Sequence, residues 1–494
     1  MEEARKPVIT LRRWGGKKRM VQEASYQAAC SAFPAVAVSH HVNTDAANEA
    51  VELTAEDLFK ELGAQQTKSF KGATEADTEL TIDTDDTDGN GTLEFKGVAL
   101  GDVYGFSATS VSIRGHAMPE WALMDMLNYS IYTDISVDTN EVIPEANSIL
   151  DVIKLTEKRL VEGWEQVKSK LQEDQTPGGK VTLQSSERVH ERNQKVRKYF
   201  LQILSNSSET FGWTSIDSIF TIKEQKEVLN NSIANVVMRV LVGGRGSFLP
   251  TLNALASQFQ CIYVPGSEPD DPGKLVNMAY LVASEAEDLD LKTLVGTSMQ
   301  AGNPGGLLPV GYVHVTSGLD GNTNVAHPYL GISVPKEAMD YGGAVERVAL
   351  PNWCASNTVD MFRQEETTLL TKPEPGSASA QQLPGALTKL ENTGEQLGYA
   401  TNSLAAAWGL GHYAWVALAH CKATITVPGS FKYKLGTRYK VKCQDKELFT
   451  GYLYAINVNV STSSCLTSLS FSHIMATGFK LPGLNEMKAA KLIH

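Results

Sequence analysis

Three successive segments near the C-terminus alternate between polar and apolar side chains, and this pattern constrains the fold most. In "FKYKLGTRYKVK" (431–442) most even positions are basic, whereas most odd positions are aromatic or aliphatic. The same period of two runs through 452–460 and 465–471. A side-chain period of two places alternate residues on opposite faces of a β-strand. The sequence therefore predicts three long strands of a small antiparallel barrel or sandwich, preceded by a helix in 402–421.

A second strand-rich region lies near the N-terminus. Alternating segments at 78–82, 92–100 and 107–115 predict three strands, and "TAEDLFKELGA" (54–64) predicts a short helix before them. Together these patterns predict an α+β domain.

The segment "DTDDTDGNGTLEFKG" (83–97) resembles a calcium loop, in which Asp86, Asp88, Asn90 and Glu94 are candidate ligands. An EF-hand loop starting at Asp86 would end on a bidentate glutamate, but its twelfth position is a glycine, and strand patterns stand where helices would flank the loop. The DG and NG dipeptides favour a hairpin turn. We therefore interpret the segment as a hairpin tip, with a weak calcium site as the alternative. The acidic side chains of the tip, including Asp85, are then candidate contacts with a neighbouring subunit.

Composition excludes several classes of protein. The chain has 494 residues and a net charge of −12, which argues against a general nucleic-acid binder. Six scattered cysteines without a CxxC pair predict neither zinc nor a disulfide framework. No apolar run reaches the roughly 20 residues of a membrane span, and the short apolar stretch at 28–38 does not fit a signal peptide. We expect a chain that is made in a reducing cytoplasm.

Catalytic motifs are missing from the sequence. "GTSMQAG" is not a nucleophile elbow, "VHERNQ" has no second histidine at zincin spacing, and "GGRGS" lacks the end of a phosphate-binding loop. We therefore expect a protein that is not an enzyme and has no cofactor.

Charge is unevenly distributed along the chain. Residues 396–494 contain ten basic and three acidic side chains, so the rest of the chain is strongly acidic. Lys434, Arg438 and Lys440 lie on one face of the predicted strand and are candidate interaction residues. They would contact an acidic neighbouring surface, or else be solvated.

The final region resembles the C-terminal barrel of phage baseplate (tail) hub proteins, the late-control D-like family that includes the hub segment of type VI secretion spikes. The shared pattern is an Ala-rich helix, a strand, a Gly turn, "F-x-G-x-hydrophobic" and a closing strand. Here these are "LAAAWGLGHYAWVALA", "ATITVPG", "LGTRYKV", "LFTGYLYAINVNVS" and "CLTSLSFSHI". Near the N-terminus, "LEFKGVALGDVYGFSATSVSIRGHA" is similar to the first barrel of that family.

The resemblance implies a β-rich α+β fold with two small tube-like antiparallel β-barrels per chain. Apolar residues at three- and four-residue steps predict a helix at 146–173 and a second helix at roughly 186–205, which together form a helical hairpin insertion. Short apolar runs and loops at 216–370 predict an α+β middle domain, and neither region matches a motif of the family. The predicted segments are 1–135 (N-terminal α+β domain with the first barrel), 136–215 (helical hairpin), 216–371 (middle domain), 372–394 (linker), 395–482 (C-terminal barrel) and 483–494 (tail).

The function implied by the resemblance is structural. The chain would form a homotrimeric baseplate hub in the phage virion, assembled in the host cytoplasm. It would join the tail tube protein to the central spike protein and contact other baseplate proteins, without specific nucleic-acid binding. Two alternatives remain, namely a calcium-stabilised surface- or carbohydrate-binding phage protein and a cell-wall hydrolase.

Overall fold

A computed structural model describes the strands of both terminal regions and parts of the region between them. The described residues are 7–14, 16–43, 59–60, 63–64, 77–84, 91–106, 110–123, 158, 162, 164–166, 168–173, 176–207, 248–258, 261–278, 281, 285–300, 310–317, 329–333, 344–350, 421–429 and 431–475.

Eighteen strands are found in these residues. Those before residue 120 are β1 (Val8–Arg13), β2 (Arg19–Met20), β3 (Glu23–Ala29), β4 (Ala35–Asn43), β5 (Thr78–Asp83), β6 (Thr92–Phe106) and β7 (Ser110–Met118). Those between residues 260 and 351 are β8 (Cys261–Val264), β9 (Lys274–Asn277), β10 (Glu287–Leu291), β11 (Gly296–Gln300), β12 (Val310–Ser317), β13 (Tyr329–Ser333) and β14 (Ala344–Leu350). The last four are β15 (Lys422–Pro428), β16 (Arg438–Cys443), β17 (Lys446–Ser461) and β18 (Cys465–Met475).

Thirteen of these strands form one sheet, which confirms a β-rich fold. Its main path is β11-β15-β18-β17-β3-β4-β7-β6-β5-β1-β2, and β16 joins β17 and β10 beside this path. The pairs are antiparallel except for β10 with β16. Within the described residues the path does not close on itself, so the predicted tube-like barrels are not seen as closed rings. Two small sheets, β13-β12-β14 and β8-β9, do not pair with its strands, although Val264 of β8 packs against Tyr452 of β17.

One hydrophobic core joins the N-terminal and C-terminal strands. Alternate residues of β1, β5 and β15 are buried, as the period of two requires. Leu80 and Ile82 of β5 belong to the same buried cluster as Ile425 of β15 and Phe471 of β18. Residues separated by nearly 400 positions therefore fold as one body.

The second helix of the predicted helical hairpin begins earlier in the structure than the sequence predicted. Helix α1 spans Pro177–Asn206, whereas the sequence predicted 186–205. Thr176 caps the helix by accepting a hydrogen bond from the Gly179 amide at 3.0 Å, and a proline is favoured at the first helical position because it needs no amide partner there. The "TPGG" segment is therefore a helix start as well as a break. Described residues at 164–166 and 168–173 are also helical.

The C-terminal part of α1 packs into the body. Its Phe200 is fully buried against Phe248 of helix α2 (Phe248–Gln258). Phe248 also contacts the ring of Phe33, which packs edge-on against Trp121 in the short 3-10 helix Glu120–Ala122. This aromatic cluster connects the helices to the turn between β3 and β4.

The predicted segment boundaries do not follow the sheet. Strands β10 and β11 come from the predicted middle domain (216–371), yet they pair with β16 and β15. The division into domains stays a prediction. The predicted linker (372–394), the helix at 402–421 except for its last residue, and the tail (483–494) lie outside the described residues. In the part of the chain that is described, no helix is long and apolar enough to cross a membrane.

Candidate assembly interface

The large sheet contains one four-strand arrangement twice. Unit 1 has the order β4, β7, β6, β5, and unit 2 has the order β15, β18, β17, β16, with every neighbouring pair antiparallel. In each unit a long strand, β6 or β17, pairs first with the strand before it and then with the strand after it. The two units therefore share their topology.

An F-x-G sequence marks the same place in both long strands. Gly97 in "FKG" and Gly451 in "FTG" each follow a buried phenylalanine. A Cβ atom at Gly97 would clash with the carbonyl oxygen of Met118, and one at Gly451 would lie 3.2 Å from the carbonyl oxygen of Ser472. Each long strand thus approaches the following strand closely at its glycine, which leaves no room for a side chain.

The numbering of the two hairpins agrees from the residue after the glycine to the turn. The offset that relates Gly97 to Gly451 also relates the last paired residues of the hairpins, Phe106↔Val111 and Val460↔Cys465. Both long strands also carry one extra residue shortly after the glycine, where the register shifts. A bulge at the same place in both units bends each long strand in the same way.

The contact between the units is made by β3. This strand pairs with β4 on one side and with the second half of β17 on the other. Ala24 lies opposite Val460, and Tyr26 lies opposite Val458. Tyr26 is only 9% exposed, and burial raises the pKa of its hydroxyl to about 12. Unit 1 is therefore joined to unit 2 through a continuous sheet.

Strand β11 occupies in unit 2 the place that β3 occupies in unit 1. Gly296 pairs with Thr426 of β15 in the way that Glu23 pairs with Ser39 of β4. Within the described residues, no strand pairs with the other side of β11, which we call the outer edge of β11. Met299 on this strand is 54% exposed.

The second half of β6 offers the complementary edge. Residues 98–106 pair with β7 on one side, and no described strand pairs with the other side, which we call the outer edge of β6. The corresponding side of β17 is covered by β3. Val103 on β6 is 63% exposed. An unpaired strand edge presents backbone groups with which another chain can pair.

The basic residues predicted to interact are placed beside an acidic strand of the same chain. Lys440 forms an ion pair with Glu447 at 3.3 Å, and β16 runs parallel to the acidic β10. Arg438 is half-buried, and burial lowers its pKa. The prediction that Lys434 shares a strand with the other two is wrong, because a turn at Gly436 precedes β16, which begins at Arg438. Lys434 is exposed, and its backbone amide donates to the Tyr439 hydroxyl at 3.1 Å. The structure thus brings part of this face into contact with acidic residues inside the chain.

One of these contacts was not predicted from the sequence. Lys442 of β16 pairs with Asp288 of β10 at 2.9 Å. The hydrogen bond from Lys442 is the main cause that lowers the pKa of Asp288, and the same bond raises the pKa of Lys442. The two strands are about 150 positions apart, so no local pattern indicates their pairing.

The two ends of the acidic segment 83–97 have the structure of a β-hairpin. Strands β5 and β6 are antiparallel, and the amide of Thr84 donates to the carbonyl oxygen of Gly91 at 2.9 Å. This confirms the hairpin interpretation. Glu94 lies on β6 and is exposed. The other candidate calcium ligands and contacts, at 85–90, lie outside the described residues, so their roles stay predictions.

A buried ion pair stands beside the outer edge of β6. Arg13 of β1 binds Asp102 in the bulge of β6, and both side chains are almost fully buried. The guanidinium also lies 5.7 Å from the centroid of the Trp14 ring. Sequence reasoning missed this pair because its members are separated by 89 positions.

Catalytic and metal-binding arrangements were also sought among the described residues. No group of three His, Cys, Asp or Glu side chains there is placed to hold a metal ion. The five described cysteines are free thiols.

Comparison with known proteins finds similar solved structures but no similar sequence family. No family model matches the chain, and no curated protein matches it. Among solved structures the chain is similar to the tail protein from Neisseria meningitidis MC58, with a TM-score of 0.43 and 9% identity over 94% of this chain and 96% of that one. It is also similar to the 43 kDa tail protein of prophage MuSo2 from Shewanella oneidensis (TM-score 0.39, 10% identity, 94% and 98% covered). A third is the prophage tail protein gp18 from Listeria monocytogenes EGD-e (TM-score 0.35, 9% identity, 99% of both chains). All three are tail proteins.

Proposed function

We propose that this chain is a structural protein of a phage tail, namely the baseplate hub that joins the tail tube to the central spike as a homotrimer. The observation that supports this most is the repeated unit. A chain with two equivalent units presents six equivalent units when three copies surround an axis. Such a ring would match a sixfold tube on one side and a threefold spike on the other, which is the arrangement implied by the resemblance of the C-terminal residues.

The unpaired strands support the same proposal. A monomer that ends in two unpaired strands with exposed apolar side chains is prone to associate. The strands are at opposite ends of the path from β11 to β6, so each copy would contact two neighbours. Contacts of this head-to-tail kind generate rings when the rotation between copies closes.

The mass of the purified full-length protein in solution tests the trimer. We expect a species of three times the 53.6 kDa of one chain, measured by light scattering across a hundredfold range of concentration. A protein that stays monomeric throughout this range, and also after addition of purified spike protein, would contradict the hub function.

The partners and the location follow from the proposal. The trimer would bind the tail tube protein, the spike protein and other baseplate proteins in the virion, after assembly in the host cytoplasm. Purified tails viewed by electron microscopy with an antibody against this chain should show label at the junction of tube and spike. Label elsewhere along the tail would contradict this location.

We also propose that the chain acts without catalysis, as its sequence suggests. Zymography on peptidoglycan should show no clearing by the purified protein at concentrations at which a lysozyme control clears. A cleared zone that comigrates with the chain would instead support the cell-wall hydrolase alternative.

A further inference from the structure

We infer that the outer edge of β11 in one copy of the chain pairs with the outer edge of β6 in the next copy. This inference rests on the proposed hub function, because it gives the contact by which a ring would form. It goes beyond that function by fixing which strands meet, in which direction and in which register. The partner is a second copy of this chain, and the template is the β3–β17 contact already present within each copy.

The register of the inferred contact follows from the β3–β17 contact when each strand is replaced by the equivalent strand of the other unit. Strand β3 corresponds to β11, because both pair with equivalent positions of β4 and β15. The second half of β17 corresponds to the second half of β6, because both pair with equivalent positions of β18 and β7. The antiparallel β3–β17 register then translates into the pairs Thr297↔Phe106, Ser298↔Gly105, Met299↔Tyr104 and Gln300↔Val103.

Backbone hydrogen bonding at β11 agrees with this register. Directly after β15 the Gly429 amide donates to the Cys465 carbonyl oxygen of β18, so the backbone groups of odd residues of β15 face β18 and those of even residues face β11. The carbonyl oxygen of Thr426, which accepts from the Val295 amide just before β11, agrees with this. The β11 partners of the even residues of β15 are also even residues. Because the direction of backbone groups alternates along a strand, the amides of Thr297 and Met299 face away from β15.

The backbone of β6 offers matching groups. The Ala99 amide points away from β7 and donates to Asp77 Oδ1 at 2.8 Å. Counting through the one-residue bulge, Tyr104 and Phe106 also point their amides away from β7. These are the residues that the register places opposite Met299 and Thr297. The backbone groups that point outward from the two edges therefore lie at matching positions.

The side chains agree as well. Met299 shares a sheet face with buried Ala423, and Tyr104 shares one with buried Ile113, so the core-facing sides of the two copies would be continuous. Met299 corresponds to Tyr26 in the contact within the chain. Tyr26 is 9% exposed there, whereas Met299 is 54% exposed. Pairing with β6 would cover it in the same way.

The two edges do not pair with each other within one copy. In the described residues β11 is at one end of the path and the second half of β6 is open on its outer side. The contact that we infer therefore joins different copies.

Cysteine cross-linking tests the register. Two full-length variants with different tags, Val103→Cys and Gln300→Cys, are mixed, dissociated, reassociated and oxidised. The register makes them a non-hydrogen-bonded antiparallel pair, whose Cα atoms lie about 4.5 Å apart, within the range that a disulfide spans. We expect a disulfide-linked species with both tags.

Gly296→Cys with Val103→Cys is the matched control. Gly296 lies on the same face of β11, and a Cβ atom there meets only Thr426 at ordinary contact distance. It would lie four residues, roughly 13 Å, out of register, so we expect at least a tenfold lower yield of linked product. The wild-type chain, oxidised in the same way, measures the background of cross-links between native cysteines.

The mass of the same samples separates the inference from the proposed function. A trimer that gives no cross-link with Gln300→Cys, or gives equal yields with Gly296→Cys, overturns the β6–β11 contact and leaves the hub function standing. A monomer without cross-links overturns both. Register-specific cross-links in open chains of many copies support the contact and overturn the trimer.

Discussion

The buried pair of Arg13 and Asp102 connects β1 to the bulge of β6, where the strand bends. Removing one member of a buried ion pair leaves a buried charge without its partner, and this costs about 3–5 kcal/mol. We therefore expect Asp102→Ala to lower the free energy of unfolding by that amount, measured by urea denaturation with tryptophan fluorescence.

A second ion pair on the same strand is the control for this prediction. Arg12 of β1 forms an ion pair with Glu79 of β5, but these side chains are 41% and 33% exposed. Exposed pairs contribute about 0–1 kcal/mol. Equal effects of Glu79→Ala and Asp102→Ala would show that burial of the Arg13 pair does not matter for stability.

His40 predicts a dependence of stability on pH. Its ring is buried on β4, and within the described residues neither ring nitrogen has a hydrogen-bond partner. Burial, followed by the charges of Arg19 and His41, lowers its pKa from 6.5 to about 4. The unfolded chain then binds a proton more readily than the folded one. The stability due to neutral His40 is complete above pH 6.5 and is lost as the pH falls towards 4.

Comparison of His40→Leu with wild type tests this dependence. We expect the melting temperature of wild type to fall more steeply between pH 6.5 and 4 than that of His40→Leu. His41→Gln, on the exposed face of the same strand, should follow wild type. Parallel pH profiles for all three proteins would contradict the assignment to His40.

At the level of single elements, local pattern predicted much of the fold. The alternation in 452–471 indicated β17 and β18, and the DG and NG dipeptides indicated the β5–β6 hairpin, because both depend on neighbours in sequence. The alternation in 431–442 indicated β16 only in part, because a turn at Gly436 delays the start of the strand to Arg438. The start of α1 was missed because Thr176 and Pro177 also fit a loop. Pairing of β3 with β17 could not be predicted, since its partners lie more than 400 positions apart and any alternating strand could fill either place.

The same limit applies to the candidate interface. The basic face around Lys440 was recognised from its period, but its acidic neighbour β10 comes from a distant segment. The outer edges of β6 and β11 have no motif of their own. They become visible only when the registers of the two units are compared, and the F-x-G sequences were the local sign of that repeat.

Proline substitutions distinguish the two sides of β11. The amide of Thr297 faces the outer edge, whereas that of Ser298 faces β15. Proline removes one amide donor and is tolerated at edges that do not need it. We expect Thr297→Pro to abolish association with a melting temperature close to that of wild type, and Ser298→Pro to lower the melting temperature itself. Equal melting temperatures together with retained association of Thr297→Pro would contradict the assignment of the edges.

At the level of the whole molecule, the inferred assembly joins β11 of one copy to β6 of the next. Met299→Glu places a carboxylate that is solvated in the monomer but would be buried without a partner in the assembly. We expect this variant to be monomeric at concentrations at which wild type assembles, as measured by sedimentation velocity. Val8→Glu replaces a comparably exposed apolar residue on β1, away from both outer edges, and should assemble like wild type.

A complementary charge should restore the assembly. Tyr104→Lys places an ammonium group opposite residue 299 of the next copy, where side chains of directly opposed residues in antiparallel strands interact. In a chain that carries both Tyr104→Lys and Met299→Glu, each β11–β6 contact contains one pair of opposite charges. We expect the mass of this double variant to return to that of the wild-type assembly. The control combines Met299→Glu with Val8→Lys. It adds the same positive charge to the chain but leaves the carboxylate at position 299 without an opposite partner. If that second combination assembles equally well, association depends on net charge and not on the pairing of β11 with β6.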